Sequence, residues 1–187
     1  MLSVLKKLFV EPVGYKQFSG EERILEREEM YELYKKSSKE IWIVAGELDP
    51  EFYNNRFVDI ISEKLEEFPD FRVNLLFSKD ANVNHKEKIK IIYNDNRELC
   101  ELLNVEAFNG RFSMFLSETR PDNHFGIADN NILIEKIHKP KDPRDVLLVY
   151  NYKDLVEKYK RYFIKLIRNS ISTVTPLSSD SFKDIAA

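Results

Sequence analysis

Apolar positions along the chain switch repeatedly between a helical and an extended period. Ser19 followed by Glu22 is a capping-box pattern. It opens a predicted helix to about Ser37, acidic at its start and ending in Lys35-Lys36, as the helix dipole prefers. Ile41-Trp42-Ile43-Val44-Ala45 is a continuous apolar run, too short for a helix and bounded by Gly46, which predicts a buried central strand. A second helix, about Asn54 to Glu67, places Phe57, Ile60, Ile61, Leu65 and Phe68 along one face. Phe71, Val73, Leu75 and Phe77 then alternate as a strand.

A third helical region spans about Lys86 to Leu103, with a break near Asn94-Asp95-Asn96. Short strands are predicted at Val105 to Phe108 and, after an Asn109-Gly110 turn, at Phe112 to Leu116. His124 to Asp129 reads as a strand that turns at Asn130-Asn131 and returns through Ile132-Leu133-Ile134-Glu135. Val146 to Tyr150 forms a further strand, and Tyr152, Leu155, Val156, Tyr159, Phe163 and Leu166 mark a last helix to about Arg168. Such alternation predicts an α/β fold, a mixed β-sheet flanked by helices. No internal repeat is visible. The expected organisation is an amphipathic segment over 1–18, one domain over 19–169 and a flexible tail over 170–187, rich in Ser, Thr and Asp.

Composition narrows the function classes. With 43% hydrophobic and 33% charged residues among 187, the chain is that of a globular protein with a real core. Its 29 Lys and Arg against 32 Asp and Glu give a net charge of −3, so no global positive field recruits nucleic acid or anionic lipid. A single cysteine, Cys100, excludes an internal disulfide framework, fits a reducing, cytoplasmic setting, and reads as a small core residue beside Leu99, Leu102 and Leu103. Met1 to Val10 is apolar but too short to span a bilayer, and two lysines interrupt it. It suits a helix packed on the domain, or one docking on a membrane surface or partner.

The most informative stretch is Arg120-Pro121-Asp122-Asn123-His124-Phe125-Gly126-Ile127-Ala128-Asp129. It resembles the signature region of the phospholipase D superfamily, whose motif is His-x-Lys, four residues, then Asp at a turn. Aligned on Asp129, this chain has Asp122-x-His124-x4-Asp129, with Asp at the nucleophile position and His at the lysine position. The resemblance covers most of Ser19 to Arg168 and implies half of a phospholipase D-type fold. In that superfamily a histidine attacks phosphorus, a second histidine from the other half protonates the leaving group, and lysines neutralise the phosphoryl oxygens. Taking His124 as the nucleophile instead puts Gly126 at the lysine position and Asn131 at the aspartate position. Either alignment implies that standard phosphodiester chemistry has been dismantled. Because such enzymes build one site from two halves, the resemblance also implies a homodimer.

Arg120, His124, Glu135 and His138 form the candidate ligand-binding cluster. Cross-strand register would pair His124 with Glu135 and orient the imidazole, and Arg120 supplies a planar fork for phosphate or carboxylate. The competing expectation is that these side chains satisfy one another and merely staple the hairpin. No spacing points to a metal site, no glycine-rich loop to a phosphate cradle, and no cofactor is implied. His85 lies in a polar run and is expected to be exposed. Lys158, Lys160, Arg161, Lys165 and Arg168 lie opposite the apolar stripe of the last helix, which reads first as a solvated face favoured by the dipole, with nucleic-acid contact as the lesser alternative. Three classes follow: a non-catalytic module binding a small anionic ligand or a protein partner, a phosphodiesterase or nuclease with a rearranged site using His124 and perhaps His138, and a homodimeric assembly module.

Overall fold

Short apolar strands cannot bury themselves alone, and here they join one mixed sheet with helices on both faces. The computed structural model describes residues 14–19, 22–78, 83–118, 120–136, 145–169 and 174–186. In chain order come β1 (Tyr15–Phe18), α1 (Arg23–Lys36), β2 (Glu40–Ala45), α2 (Asn55–Glu67) and β3 (Arg72–Ser78). Next are α3 (His85–Asp95), α4 (Arg97–Glu101), two 3-10 turns (Leu102–Asn104 and Glu106–Phe108) and β4 (Phe112–Ser117). Then follow β5 (His124–Ala128), β6 (Asn131–Lys136), β7 (Asp145–Val149), α5 (Lys153–Asn169), β8 (Val174–Leu177), a 3-10 turn (Ser179–Phe182) and α6 (Lys183–Ala186).

The strand order is β1-β7-β6-β5-β2-β3-β4-β8. Strands β2, β3 and β4 run parallel, and every other pairing is antiparallel. The parallel centre is covered on both faces, which is why Ile41 to Ala45 carries no polar residue. Ile41, Ile43 and Ala45 point to the side of α1 and α2, joining Met30, Tyr34, Phe57 and Ile61. Val44 and Trp42 point to the opposite side, where α5 brings Val156, Tyr159 and Phe163. There Phe163 meets Trp42 edge-on at 5.0 Å between ring centroids. Cys100 is fully buried, and burial pushes its thiol up to about 12, so it is an inert core residue as expected.

Local chemistry explains where elements start. Asn54 caps α2, its side chain accepting from the N–H groups of Arg56 and Phe57, and Asn84 caps α3 in a complete capping box with Glu87. Ser19 does not cap α1. Its N–H and hydroxyl both donate to Glu22 Oε2, at 2.9 and 3.1 Å, and the helix begins after Glu22. The break expected near Asn94-Asp95-Asn96 falls at Asn96, between α3 and α4.

Several expectations change. Val105 to Phe108 is not a strand: Glu106–Phe108 forms a 3-10 turn, the amides of Phe108 and Asn109 closing on Val105 and Glu106. The hairpin turns one residue earlier than expected, at Asp129-Asn130, because Ala128 pairs with Asn131. Asp129 adopts the left-handed conformation there, with φ 53°, which Asp tolerates better than most residues. The tail expected from 170 does not hold for 174–186. Val174 and Leu177 are buried where β8 pairs with β4, and Phe182 stacks on Tyr93 at 5.2 Å. Likewise, Tyr15 to Phe18 belongs to the sheet through β7, so the boundary at 18/19 cuts off an edge strand. The amphipathic segment expected over Met1 to Val10 lies outside the described residues.

The hairpin is anchored by a carboxylate. Asp129 accepts from the amides of Ser38, Lys39 and Glu40 at 2.9, 2.9 and 3.0 Å, and its own N–H donates to Glu40 O at 3.1 Å. These bonds tie the β5–β6 turn to the entry of β2. Hydrogen bonds to a charged group are each worth about 1.5–3 kcal/mol before solvent exposure reduces them. Asp129→Ala should therefore cost about 2 kcal/mol, and Asp129→Asn less, because Asn keeps an acceptor and tolerates positive φ. Urea denaturation checks this through a lowered midpoint at unchanged slope.

Candidate functional site

Alternation along β5 sends successive side chains to opposite faces. Phe125 and Ile127 pack toward α5, while His124 and Gly126 face α1. His124 pairs directly with Glu135 on β6, and its Nδ1–H donates to Glu135 Oε2 at 3.0 Å. The residue is only 5% exposed, and its Nε2 is buried with no hydrogen-bond partner among the described residues. A buried polar atom left without a partner costs about 1–3 kcal/mol. The bond to Glu135 fixes which nitrogen points outward. When neutral, the imidazole presents a lone pair at Nε2, and when protonated, a donor.

Two glycines make room for this arrangement. A β-carbon on Gly46, at the exit of β2, would lie 2.6 Å from His124 Cε1, 2.8 Å from Arg120 Nε and 2.9 Å from His124 Nε2. Arg120 and His124 therefore meet over the bare backbone of Gly46. A β-carbon on Gly126 would collide with the Tyr34 hydroxyl. Ser78 holds Gly46 from the far side, donating to its carbonyl through both N–H and hydroxyl.

These groups open into a cavity of about 500 Å³. Its lining includes Glu26, Met30 and Tyr34 from α1, Gly46 to Pro50, Phe52 and Tyr53 after β2, Asp95 from α3, and Arg120, His124, Phe125, Gly126, Leu133 and Glu135 around the hairpin. Glu26 is buried on the inner face of α1. Burial pushes the Tyr34 hydroxyl far above its ordinary range, and neighbouring Tyr53 and Glu26 push it further, so it stays a neutral hydroxyl. Asp49 is ion-paired with Arg23 at 2.7 Å.

Three of the four cluster residues read from sequence, Arg120, His124 and Glu135, come together on this cavity. His138 lies outside the described residues. Asp122 is exposed and stands apart from the lining. His85 is half-buried rather than open, pairing with Glu118 at 2.6 Å. Lys88 and then His85 hold the Glu118 carboxyl below its usual range, which makes a surface ion-pair group at the end of β4. Among the described residues no set of His, Cys, Asp and Glu is placed to hold a metal, and no helix is long and apolar enough to cross a membrane. Sequence reasoning missed Gly46, Glu26, Tyr34 and Asp95. For Glu26 a signal existed: it occupies the same helical stripe as Met30 and Tyr34, where a charge is out of place.

Gly46→Ala tests the geometry. The exposed Arg120 can swing away, but the buried imidazole clamped by Glu135 cannot. The substitution should cost about 1–3 kcal/mol of stability, the usual penalty for overpacking. Equilibrium denaturation reads the loss, and adding Arg120→Ala should recover little of it.

No family model matches the sequence, and no curated protein does. Solved structures are similar in fold. TrmBL2, an archaeal chromatin protein that binds DNA, superposes over 90% of this chain and 57% of its own at TM-score 0.57 and 14% identity. The phosphatidylserine synthase of Haemophilus influenzae matches 88% of this chain and 40% of its own, at TM-score 0.57 and 15% identity. NucT from Helicobacter pylori matches 83% of this chain and 96% of its own, at TM-score 0.55 and 9% identity. The chain thus spans about half the length of the first two. With the synthase and NucT both of the phospholipase D type, the eight-stranded mixed sheet and its helices are a phospholipase D-like fold.

Proposed function

We propose that this chain is a non-catalytic phospholipase D-like module that binds a small ligand, with an anionic group of that ligand held by Arg120 and His124, in a sensor or regulatory role. The observation that carries the reading is the orphaned Nε2 of His124, buried on the cavity beside the guanidinium of Arg120. It is a polar atom that a ligand completes. The residue that aligns with the superfamily's nucleophile, Asp122, is exposed and off the cavity, and the aligned lysine position is His124 itself. Aligned on Asp129, the nucleophile and lysine positions therefore hold neither the attacking imidazole nor the lysine ammonium of the standard reaction. What is left is a site with binding equipment.

The likeness to a DNA-binding chromatin protein raises a competing reading. Lys158, Arg161, Lys165 and Arg168 are exposed on α5 and would meet phosphates. Against it stands the net charge of −3, which gives no global attraction for a polyanion.

Purified protein should show no turnover of an activated phosphodiester or of single-stranded DNA, with or without divalent metal. Turnover that vanishes in His124→Ala would overturn the non-catalytic reading and restore a rearranged phosphodiesterase. Inorganic phosphate should raise the melting temperature of the wild type, and the gain should shrink in Arg120→Ala, where the planar fork for the anion is gone.

The two-fold pairing implied by the resemblance belongs to the same proposal. It predicts a dimer mass by light scattering after size exclusion at micromolar concentration, and a monomer mass throughout would remove it.

A further inference from the structure

Two nitrogens converge on one point of the cavity wall. A β-carbon on Gly46 would lie 2.8 Å from Arg120 Nε and 2.9 Å from His124 Nε2, so both border the same small volume. They ask different things of a ligand. The guanidinium of Arg120 is always charged and only donates, so it takes an anionic oxygen. Nε2 of His124 changes its demand with the state of the ring. Because Nδ1 is committed to Glu135 at 3.0 Å, Nε2 is a lone pair in the neutral imidazole and an N–H in the imidazolium. A carboxylate or phosphate oxygen satisfies the imidazolium alone, and an ammonium satisfies the neutral ring alone. A hydroxyl satisfies both, because it donates and accepts.

We propose that the ligand is a small hydroxylated anion, its carboxylate or phosphate on Arg120 and a hydroxyl on the neighbouring carbon bonded to Nε2 of His124. The inference rests on the ligand-binding reading above and assigns each side chain its part of the same ligand. His124 is only 5% exposed and clamped by Glu135, so the ligand meets Nε2 where it stands. Arg120 is exposed and can close on the anion. Since the two nitrogens border one point of bare backbone, the two ligand groups they hold are neighbours as well. A plain anion leaves Nε2 of the neutral ring without a partner, a cost that the hydroxyl removes. The cavity of about 500 Å³ has room for a carbon chain beyond this pair, along Met30, Leu48, Phe52 and Leu133.

The test is calorimetric titration of the full chain with racemic lactate, 2-hydroxy-4-methylpentanoate and 3-phenyllactate, each against its deoxy acid. Glycerol 3-phosphate against propyl phosphate repeats the comparison for a phosphate. The position probe is 3-hydroxypropionate, and the neutral probe is 1,2-propanediol. At least one hydroxylated anion should bind about tenfold tighter than its deoxy partner, the scale of one buried polar atom gaining its hydrogen bond. Which series shows the advantage tells carboxylate from phosphate. His124→Ala should erase the advantage, and the wild-type comparison stands by itself if that variant unfolds. Arg120→Ala, at an exposed position, should weaken hydroxylated and deoxy anions alike. Equal binding within every pair overturns the hydroxylated anion and leaves the anion-binding reading standing. Tighter binding of 3-hydroxypropionate than of lactate, or of 1,2-propanediol than of every anion, also overturns it. If no probe binds, and Arg120→Ala and His124→Ala change stability alone, the ligand-binding reading falls with it.

Discussion

Three backbone N–H groups at the entry of β2 converge on the carboxylate of Asp129, and the cavity's geometry follows from that anchor. The bonds hold the β5–β6 turn to two residues. A two-residue turn at Asp129-Asn130 sets His124 opposite Glu135, and the same strand lies antiparallel to β2 with Gly126 opposite Ile43. Side chains on a strand alternate, so slipping the register by one residue would send His124 to the α5 face among Tyr159, Tyr162 and Phe163. An imidazole there would meet aromatic rings in place of a carboxylate and a guanidinium. Asp129 thus acts on the site without touching it.

The site also depends on what is missing from the backbone. Gly46 and Gly126 let a buried imidazole and a buried phenol lie against main chain where any β-carbon would intrude. Carrying a buried Nε2 with no partner is unfavourable, and the two apolar layers on either side of the sheet offset it. The interior is close-packed, so these vacated volumes are specific to the groups that fill them. The same tight fit gives His124 one rotational setting, with Nδ1 committed to Glu135 and Nε2 to the chamber.

Much of the fold was legible because period and breakers agreed. The unbroken Ile41 to Ala45 run, the alternation from Phe71 to Phe77 and the single stripe on α5 each allow one solution. Misreadings came where local composition competes with tertiary contacts. Val174 to Leu177 sits in a Ser- and Thr-rich stretch, and only its pairing with β4 makes it a strand. Val105 to Phe108 has strand-like composition but closes on itself as a 3-10 turn. The Arg120, His124 and Glu135 grouping was legible because hairpin register is local. The opposite wall was not, since Glu26, Gly46 and Asp95 reach the cavity from three distant segments and nothing in their own neighbourhoods announces it. Glu26, a charge on an apolar stripe, was the exception that could have been read.

Fold and chemistry separate cleanly along this hairpin. Asp129 does a backbone task that is independent of any reaction. Exposed Asp122 carries no such task, whereas His124 is held in the fold by Glu135. A sheet held by such backbone contacts can be shared at 9–15% identity, and what a given chain does then depends on the groups placed around it. Activity is decided by the sign and placement of those charges. Here a carboxylate clamps the imidazole, and among the described residues the guanidinium of Arg120 is the one permanent positive charge on the lining. Neutralising a phosphoryl group in its transition state needs concentrated positive charge.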